Sequence, residues 1–285
     1  MKKNIFILLI IFTISCSKND KKLMVFAGSA SKPATEEIVK IFEKETNIKV
    51  EIIFGGSGYV LTQMIMSQIG DIYFPGSYDY MEIAKNKNVV FPETEEKICY
   101  LIPSINVEKH NPKKILKLKD LMKKDLKIAI ANPEGVCLGN YSVEIIENNF
   151  SHEEKEILKK NIINYTGSCS KTAGAISLKT VDAVLGWRVF KYWDKKNIEN
   201  IKLDKSEIAR IGYIPVAVSK FTKNKKNSKK FIQFLKSEKS KKIFEKYNYF
   251  ISKKQVFDYL GEEKKIGGVY DVPKNWIKKS NLKLN

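Results

Sequence analysis

Three short stretches place glycine and serine where a strand-like run gives way to a helix-like one: "FAGSASKP" with Ser29 and Ser31, "FGGSGYV" with Ser57, and "VCLGNYS" with Leu138 and Gly139. The first turn of a helix exposes unpaired N–H groups and carries partial positive charge, so a negatively charged oxygen is favoured there. Glycine lets the backbone come close, and a serine hydroxyl adds a donor. One such loop is an ordinary turn, but three in one chain point to the binding of an anion. Reaction chemistry finds less material. Ser57 in "GGSGY" lacks the glycine two places later that a nucleophile elbow needs, since Tyr59 stands there. The two histidines, His110 and His152, sit in polar, loop-like surroundings, so a serine or cysteine nucleophile has no evident base. Neither glycine loop continues into the Gly-Lys-Ser/Thr of a P-loop. No CxxC or Cys/His spacing suggests a metal site. The expectation is a binding protein and not an enzyme, with no cofactor.

The chain of 285 residues is 43% hydrophobic, enough for one large domain or two modest ones. Lys and Arg number 51 against 32 Asp and Glu, a net charge of +19. No zinc-knuckle, RNP-like or helix-turn-helix signature accompanies that charge, so nucleic acid is not expected as a partner. Runs such as "KNKKNSKK" read instead as solvated faces. The N-terminus, "MKKNIFILLIIFTISCSKND", has two lysines, an apolar run from Ile5 to Ile14, then polar sequence. The run is too short to span a bilayer and reads as a signal peptide over 1–15. Its "TISC" end resembles a bacterial lipobox, which implies lipidation of Cys16, a tether over 16–22 and an exported protein held at a membrane surface. The simpler alternative is an ordinary signal peptide with an incidental cysteine. Cys99, Cys137 and Cys169 then remain, an odd number.

The elements that must position the loops alternate. "LMVFAG", "IKVEIIF" and "GDIYFPGS" read as strands, with helices in "SKPATEEIVKIFEKETN", from about Tyr59 to Ser67, and in "YDYMEIAKNK". The pattern restarts with "KICYLIPSI" as a strand that could pair or cross into a second unit, then strand "LKIAIAN", helices in "CLGNYSVEIIENN", "SHEEKEILKKN" and "TAGAISLKT", and strands "VDAVLGWRVF" and "ARIGYIPVAVSK". "SKKFIQFLKSEKSKKIFEKYN" reads as one amphipathic helix with an apolar stripe. Such alternation predicts an α/β fold with largely parallel sheets. The division expected is a discontinuous first lobe over 23–98 and 216–285, and a second over 99–215.

The ordered set "VFAGSASKP", "FGGSGYVLTQM", "GDIYFPGS", "IANPEGVCLGNY", "VDAVLGW" and "YIPVAVS" resembles the periplasmic molybdate/tungstate-binding proteins of ABC importers, members of the type II periplasmic-binding-protein fold. The likeness covers about Leu23 to Phe250. It implies two α/β lobes gripping a tetrahedral oxyanion in the cleft between them, with molybdenum or tungsten present only as that oxyanion. By motif, the implied ligands are the hydroxyls of Ser29 and Ser57, the amides of Leu138 and Cys169, and Trp187 where the family has a tyrosine. Ser31 is the alternative to Ser29, and Gly58 and Arg188 are possible additions. Glu134 is the acidic residue nearest the expected site, but a purely hydrogen-bonded cage is the expectation. Cys137 and Cys169 flank the second lobe's ligand positions, as a disulfide or as two reduced thiols. The implied partners are an ABC permease and its ATPase, and the implied state is a monomer in the periplasm or at the cell surface. Another oxyanion (sulfate, phosphate or chromate), an iron complex, or a structural or adhesive surface role are the alternatives.

Overall fold

The structure, a computed structural model, describes residues 22–277. The expected signal peptide, Cys16 and nearly all of the tether lie outside the described residues. Among those residues no helix is long and apolar enough to cross a membrane.

The first sheet is laid down by short βα units. Strand β1 (Lys22–Gly28) pairs in parallel with β2 (Lys49–Gly55) and β3 (Ile72–Phe74). Helices α1 (Lys32–Thr46), α2 (Ser57–Ser67) and α3 (Tyr78–Asn86) connect and follow them. Pro33 in the first turn of α1 and Asn47 in the left-handed conformation just after it mark that helix's ends. The sheet is completed by β4 (Glu96–Leu101) and by β10 (Gly212–Val218), which runs antiparallel to both β3 and β4. The strand order is β2-β1-β3-β10-β4.

The second sheet contains β5 (Pro103–Glu108), β6 (Ile128–Ala131), β7 (Ile162–Thr166), β8 (Ala183–Trp187) and β9 (Ile198–Ile201), in the order β7-β6-β8-β5-β9. Helices α4 (Cys137–Asn149), α5 (His152–Asn161), α6 (Cys169–Ser177) and α7 (Phe190–Trp193) belong to this lobe. Again β6 is parallel to β7 and β8, whereas β5 is antiparallel to β8 and β9. Two α/β lobes follow from the sequence as expected, but each sheet is mixed where largely parallel sheets were predicted. The antiparallel members are the strands at the crossings, whose direction is set by the chain's passage between lobes.

Those crossings correct the expected boundaries. "KICYLIPSI" is two strands in different sheets: β4 stays in the first, Ile102 lies between, and β5 opens the second at Pro103. A proline that starts a strand costs no ladder bond. The return runs between β9 and β10, so β10 belongs whole to the first sheet. The long C-terminal helix divides into α8 (Lys225–Leu235) and α9 (Glu238–Lys246), because Ser237 leaves the helical conformation and its hydroxyl caps the N–H of Ser240. Both halves bury apolar residues, Phe231, Ile232 and Leu235 in one and Ile243 and Phe244 in the other.

The C-terminal segment turns to the second lobe's core. Val256 and Leu260 of α10 (Lys253–Leu260), with Trp276, join the second lobe's core beside Leu203, Ile208 and Tyr213. The Trp276 indole donates to Glu147 of α4 at 2.5 Å. The expected assignment of 216–285 to the first lobe therefore holds only for its earlier part.

Candidate anion cleft between the lobes

Strands β1 and β2 of one lobe and β6 and β7 of the other all end facing the same crevice, where open α/β sheets bind ligands. The loops beyond them carry the residues singled out from sequence. A 3-10 turn, Ser29–Ser31, leads into α1; α2 begins at Ser57; α4 begins at Cys137; α6 begins at Cys169. Helix N-termini from both lobes thus converge, bringing partial positive charge without a cationic side chain.

Direct hydrogen bonds join the two walls. The Ser29 hydroxyl accepts the backbone N–H of Ser170 at 3.1 Å, and Gly58 N–H donates to the carbonyl of Gly135 at 2.9 Å. The side-chain amide of Asn132 donates to the Tyr59 hydroxyl at 3.0 Å. Within the first lobe, the Ser57 hydroxyl accepts Gly76 N–H at 2.9 Å. Glycine is required where the walls meet: a β-carbon on Gly56 would lie 2.7 Å from the Gly135 carbonyl and 2.8 Å from that of Gly167.

Placement of the expected ligands is mixed. Ser29, Ser57, Leu138, Cys169 and Trp187 are all buried. Ser29 faces the opposite lobe, while the Ser31 hydroxyl accepts from Thr35 within its own helix at 2.9 Å. The amide of α6 seen to reach across belongs to Ser170, one residue beyond the expected Cys169. Glu134 is exposed. Arg188 is turned to other neighbours: its guanidinium stacks 4.1 Å from the Phe250 ring centroid and 4.9 Å from that of Tyr259, and donates to the Asn248 carbonyl at 2.5 Å.

Cys137 and Cys169 are free and fully buried, so the open question of a disulfide resolves here as two thiols. The Cys169 thiol beside it, aided by the hydroxyls of Ser57 and Ser77, holds the Cys137 thiol below its ordinary pKa despite burial. Burial pushes the Cys169 thiol well up, although the Trp187 indole and the Leu138 N–H both face its sulfur. Trp187 packs edge-on to Tyr141 at 4.9 Å between centroids, and among the described residues its indole N–H has no oxygen or nitrogen partner.

Sequence reasoning missed Arg210. Its Nε meets Glu144 of α4 at 2.6 Å, and its Nη1 lies 3.1 Å from Asp79 of α3, so one buried cation ties a helix of each lobe. The guanidinium also lies 3.9 Å above the Tyr141 ring, and Nη1 donates to the Gly268 carbonyl. Despite the desolvation that opposes its charge, Tyr141 and the two carboxylates push its pKa up. An arginine beside the apolar run "IGYIPVAV" was the available signal, since arginine is rarely buried unless paired. Among the described residues no group of three or more His, Cys, Asp or Glu is arranged to hold a metal ion.

Two mixed α/β lobes face a common crevice onto which helix N-termini of both open, the architecture of a two-lobed binding protein. Residues 23–249 match the bacterial extracellular solute-binding proteins, and the chain belongs to that family. It is 25% identical over 239 residues to the Bacillus subtilis (strain 168) protein named "Putative ABC transporter substrate-binding lipoprotein YvgL", covering 82% of this chain and 89% of that one. Among solved structures it is similar to the periplasmic molybdate-binding protein of Azotobacter vinelandii, with TM-score 0.70 and 17% identity over 81% of this chain and 99% of that one. It is likewise similar to the sulfate-binding protein SubI of Mycobacterium tuberculosis H37Rv, with TM-score 0.73 and 12% identity over 87% and 94%. Such likenesses show the type II periplasmic-binding-protein fold, and the family match makes the chain a bacterial extracellular solute-binding protein.

Proposed function

We propose that this protein captures molybdate or tungstate between its lobes and delivers it to a membrane permease driven by an ATPase. The observation that carries the reading is the convergence of helix N-termini from both lobes on the buried hydroxyls of Ser29 and Ser57. A buried dianion is tolerated only if its oxygens are met by donors, and N–H and O–H groups on fixed backbone meet them without a counter-ion. In this reading Ser29, Ser57 and the amides of Leu138 and Cys169 hold the oxygens. Trp187 supplies an indole N–H at the wall where a tyrosine would stand, and Gly58 keeps the walls close. The bonds Ser29–Ser170 and Ser57–Gly76 are the contacts that the anion's oxygens would replace or share on capture.

Lipidation of Cys16 would hold the exported, monomeric protein at the membrane near its permease, and the surplus of basic residues would raise the local anion concentration. Cavity size would distinguish molybdate from sulfate, which has the same charge and shape with shorter bonds. A melting-temperature series with molybdate, tungstate, sulfate, phosphate, chromate and a ferric complex tests the reading. Stabilisation by molybdate and tungstate at micromolar concentration is expected. No response to any oxyanion refutes it, and a preference for sulfate, phosphate or iron reassigns the cargo.

A further inference from the structure

The first lobe carries a basic and apolar surface at the end opposite the cleft. Strands β1 and β3 start there and the antiparallel β10 ends there, so Lys22, Asp71 and the turn after Val218 lie together. Asp71 joins them: its carboxylate accepts the Met24 N–H at 2.8 Å and the Thr222 hydroxyl at 2.6 Å, and its backbone carbonyl accepts the Ser219 N–H at 2.9 Å. The groove that results is lined by Lys22, Met24, Ile69, Phe221 and Lys223. Ile69 is 48% exposed, and Met66, in the last turn of α2, is 81% exposed, so both apolar side chains face water. The chain running from the groove into α8 adds exposed Lys220, Lys225 and Lys226. Glu51 pairs with Lys22 at 2.6 Å and Glu93 reaches Lys225 at 4.0 Å, whereas Lys223 and Lys226 form no ion pair among the described residues. Asp71 spends its charge inside, and the surface is left basic.

We propose that this end of the first lobe docks on an anionic phospholipid surface, and that the contact turns the cleft of the anchored protein towards solvent. The occupant follows from where the chain arrives. Lys22 stands six residues after Cys16, a reach of at most about 20 Å when fully extended. An acyl chain on Cys16 therefore keeps this end of the lobe nearest the bilayer. The proposal rests on the lipidation stated above and adds an orientation to it. Charge is complementary, since lysines are attracted to a negatively charged leaflet. Exposed apolar side chains beside such lysines enter the headgroup layer and leave water. Strand β1 spans seven residues and rises about 3.3 Å at each, which sets Gly28 and the anion donors about 20 Å above the lipid. A surface of similar composition at the start of β6 and β7, with Lys124, Lys127, Lys160, Ile157 and Ile163, lies on the lobe that the tether does not enter, and it is the internal control.

Lysine acylation of the full-length protein in vesicles, read site by site by mass spectrometry, tests this. With phosphatidylglycerol in a phosphatidylcholine bilayer, Lys223 and Lys226 are expected to react roughly fivefold more slowly than in phosphatidylcholine alone. Lys124, Lys127 and Lys160 react alike in both, and high salt removes the protection. Met66→Ser combined with Ile69→Ser loses most of the protection at unchanged melting temperature. Should that pair lower the melting temperature, Lys226→Glu read at Lys223 takes its place and is expected to give the same loss. Equal protection of the second lobe's lysines overturns the docking face, because the attraction is then general. Protection that needs no vesicles and grows with protein concentration overturns it too, and assigns the surface to a second copy of the chain. A mass showing no acyl group on Cys16 removes the anchor and the proposal with it, whereas a lipidated chain without protection at Lys223 removes the proposal alone.

Discussion

Ser29 and Ser170 meet across the cleft: the hydroxyl oxygen of Ser29 accepts the backbone N–H of Ser170 at 3.1 Å, joining the turn after β1 to the first turn of α6. On the proposed function, capture is an exchange among good donors and acceptors, and affinity depends on how well the anion replaces these contacts. Ser29→Ala and Ser57→Ala are each expected to weaken molybdate binding by about 10–100-fold, the equivalent of losing one hydrogen bond to a charged group. Ser31→Ala should change affinity less than threefold on the same scale, because its hydroxyl is committed to Thr35. Calorimetric titration of the three variants checks the order, and equal losses at Ser29 and Ser31 would remove the distinction between them.

Gly56 reports on closure independently of any ligand contact. An alanine there would drive its methyl into the carbonyls of Gly135 and Gly167, 2.7 and 2.8 Å away in the opposite lobe. The clash is between lobes rather than within one, and both obstacles are backbone. Gly56→Ala is expected to hold the lobes apart, enlarging the radius of gyration by small-angle scattering and lowering ligand affinity at least tenfold, about 1.4 kcal/mol. The thermal unfolding of each lobe should barely move. An unchanged scattering profile with saturating molybdate would show that the lobes close by another path.

Acid stability has a named source in the second lobe. Glu199 of β9 takes Lys191 at 2.6 Å and Lys109 at 2.9 Å, which lower its pKa to about 2. An unperturbed glutamate titrates near ~4.3. Because the folded value is the lower one, the ionised pair adds stability above the ordinary value, and that contribution is lost as pH falls from about 4.3 towards 2. The melting difference between the natural protein and Glu199→Gln should therefore be full at pH 7 and shrink across that acidic window. A difference that stays constant down to pH 2 would mean that the charges contribute nothing.

The loops were legible because their chemistry is local. Glycine and serine between a strand and a helix reveal donors wherever the partner lobe lies, and Ser29 meets the Ser170 amide of the other lobe. What required the third dimension was orientation. Arg188 follows Trp187 in sequence, yet it stands in the turn just past the end of β8 and its guanidinium stacks on Phe250 and Tyr259. "KICYLIPSI" reads as one apolar run, and nothing short-range tells that Leu101 and Pro103 pair with different sheets. Trp276 and α10 pack on the lobe that the chain had already left, a long-range choice without a local signature.

Arg210 links the cleft to the strands that cross between lobes, and its removal should expose how much closure costs. Asp79 comes from α3 of the first lobe and Glu144 from α4 of the second, with Arg210 just before β10. All three are buried, so breaking the cluster on one side leaves uncompensated charge in a dry interior, a loss of about 3–5 kcal/mol. Arg210→Met should therefore destabilise the protein strongly, because two carboxylates lose their cation. Replacing the whole set, with Asp79→Asn and Glu144→Gln added, should recover most of that stability, since the unpaired charges go with the partner. The recovered triple variant would still lack the ionic tie between α3 and α4. It is expected to populate an open form detectable by scattering and to bind molybdate several-fold more weakly, while its spectrum and fold stay native. If the triple variant recovers stability and also keeps full affinity, the cluster serves packing alone and closure is governed by the hydrogen bonds at Ser29 and Gly58.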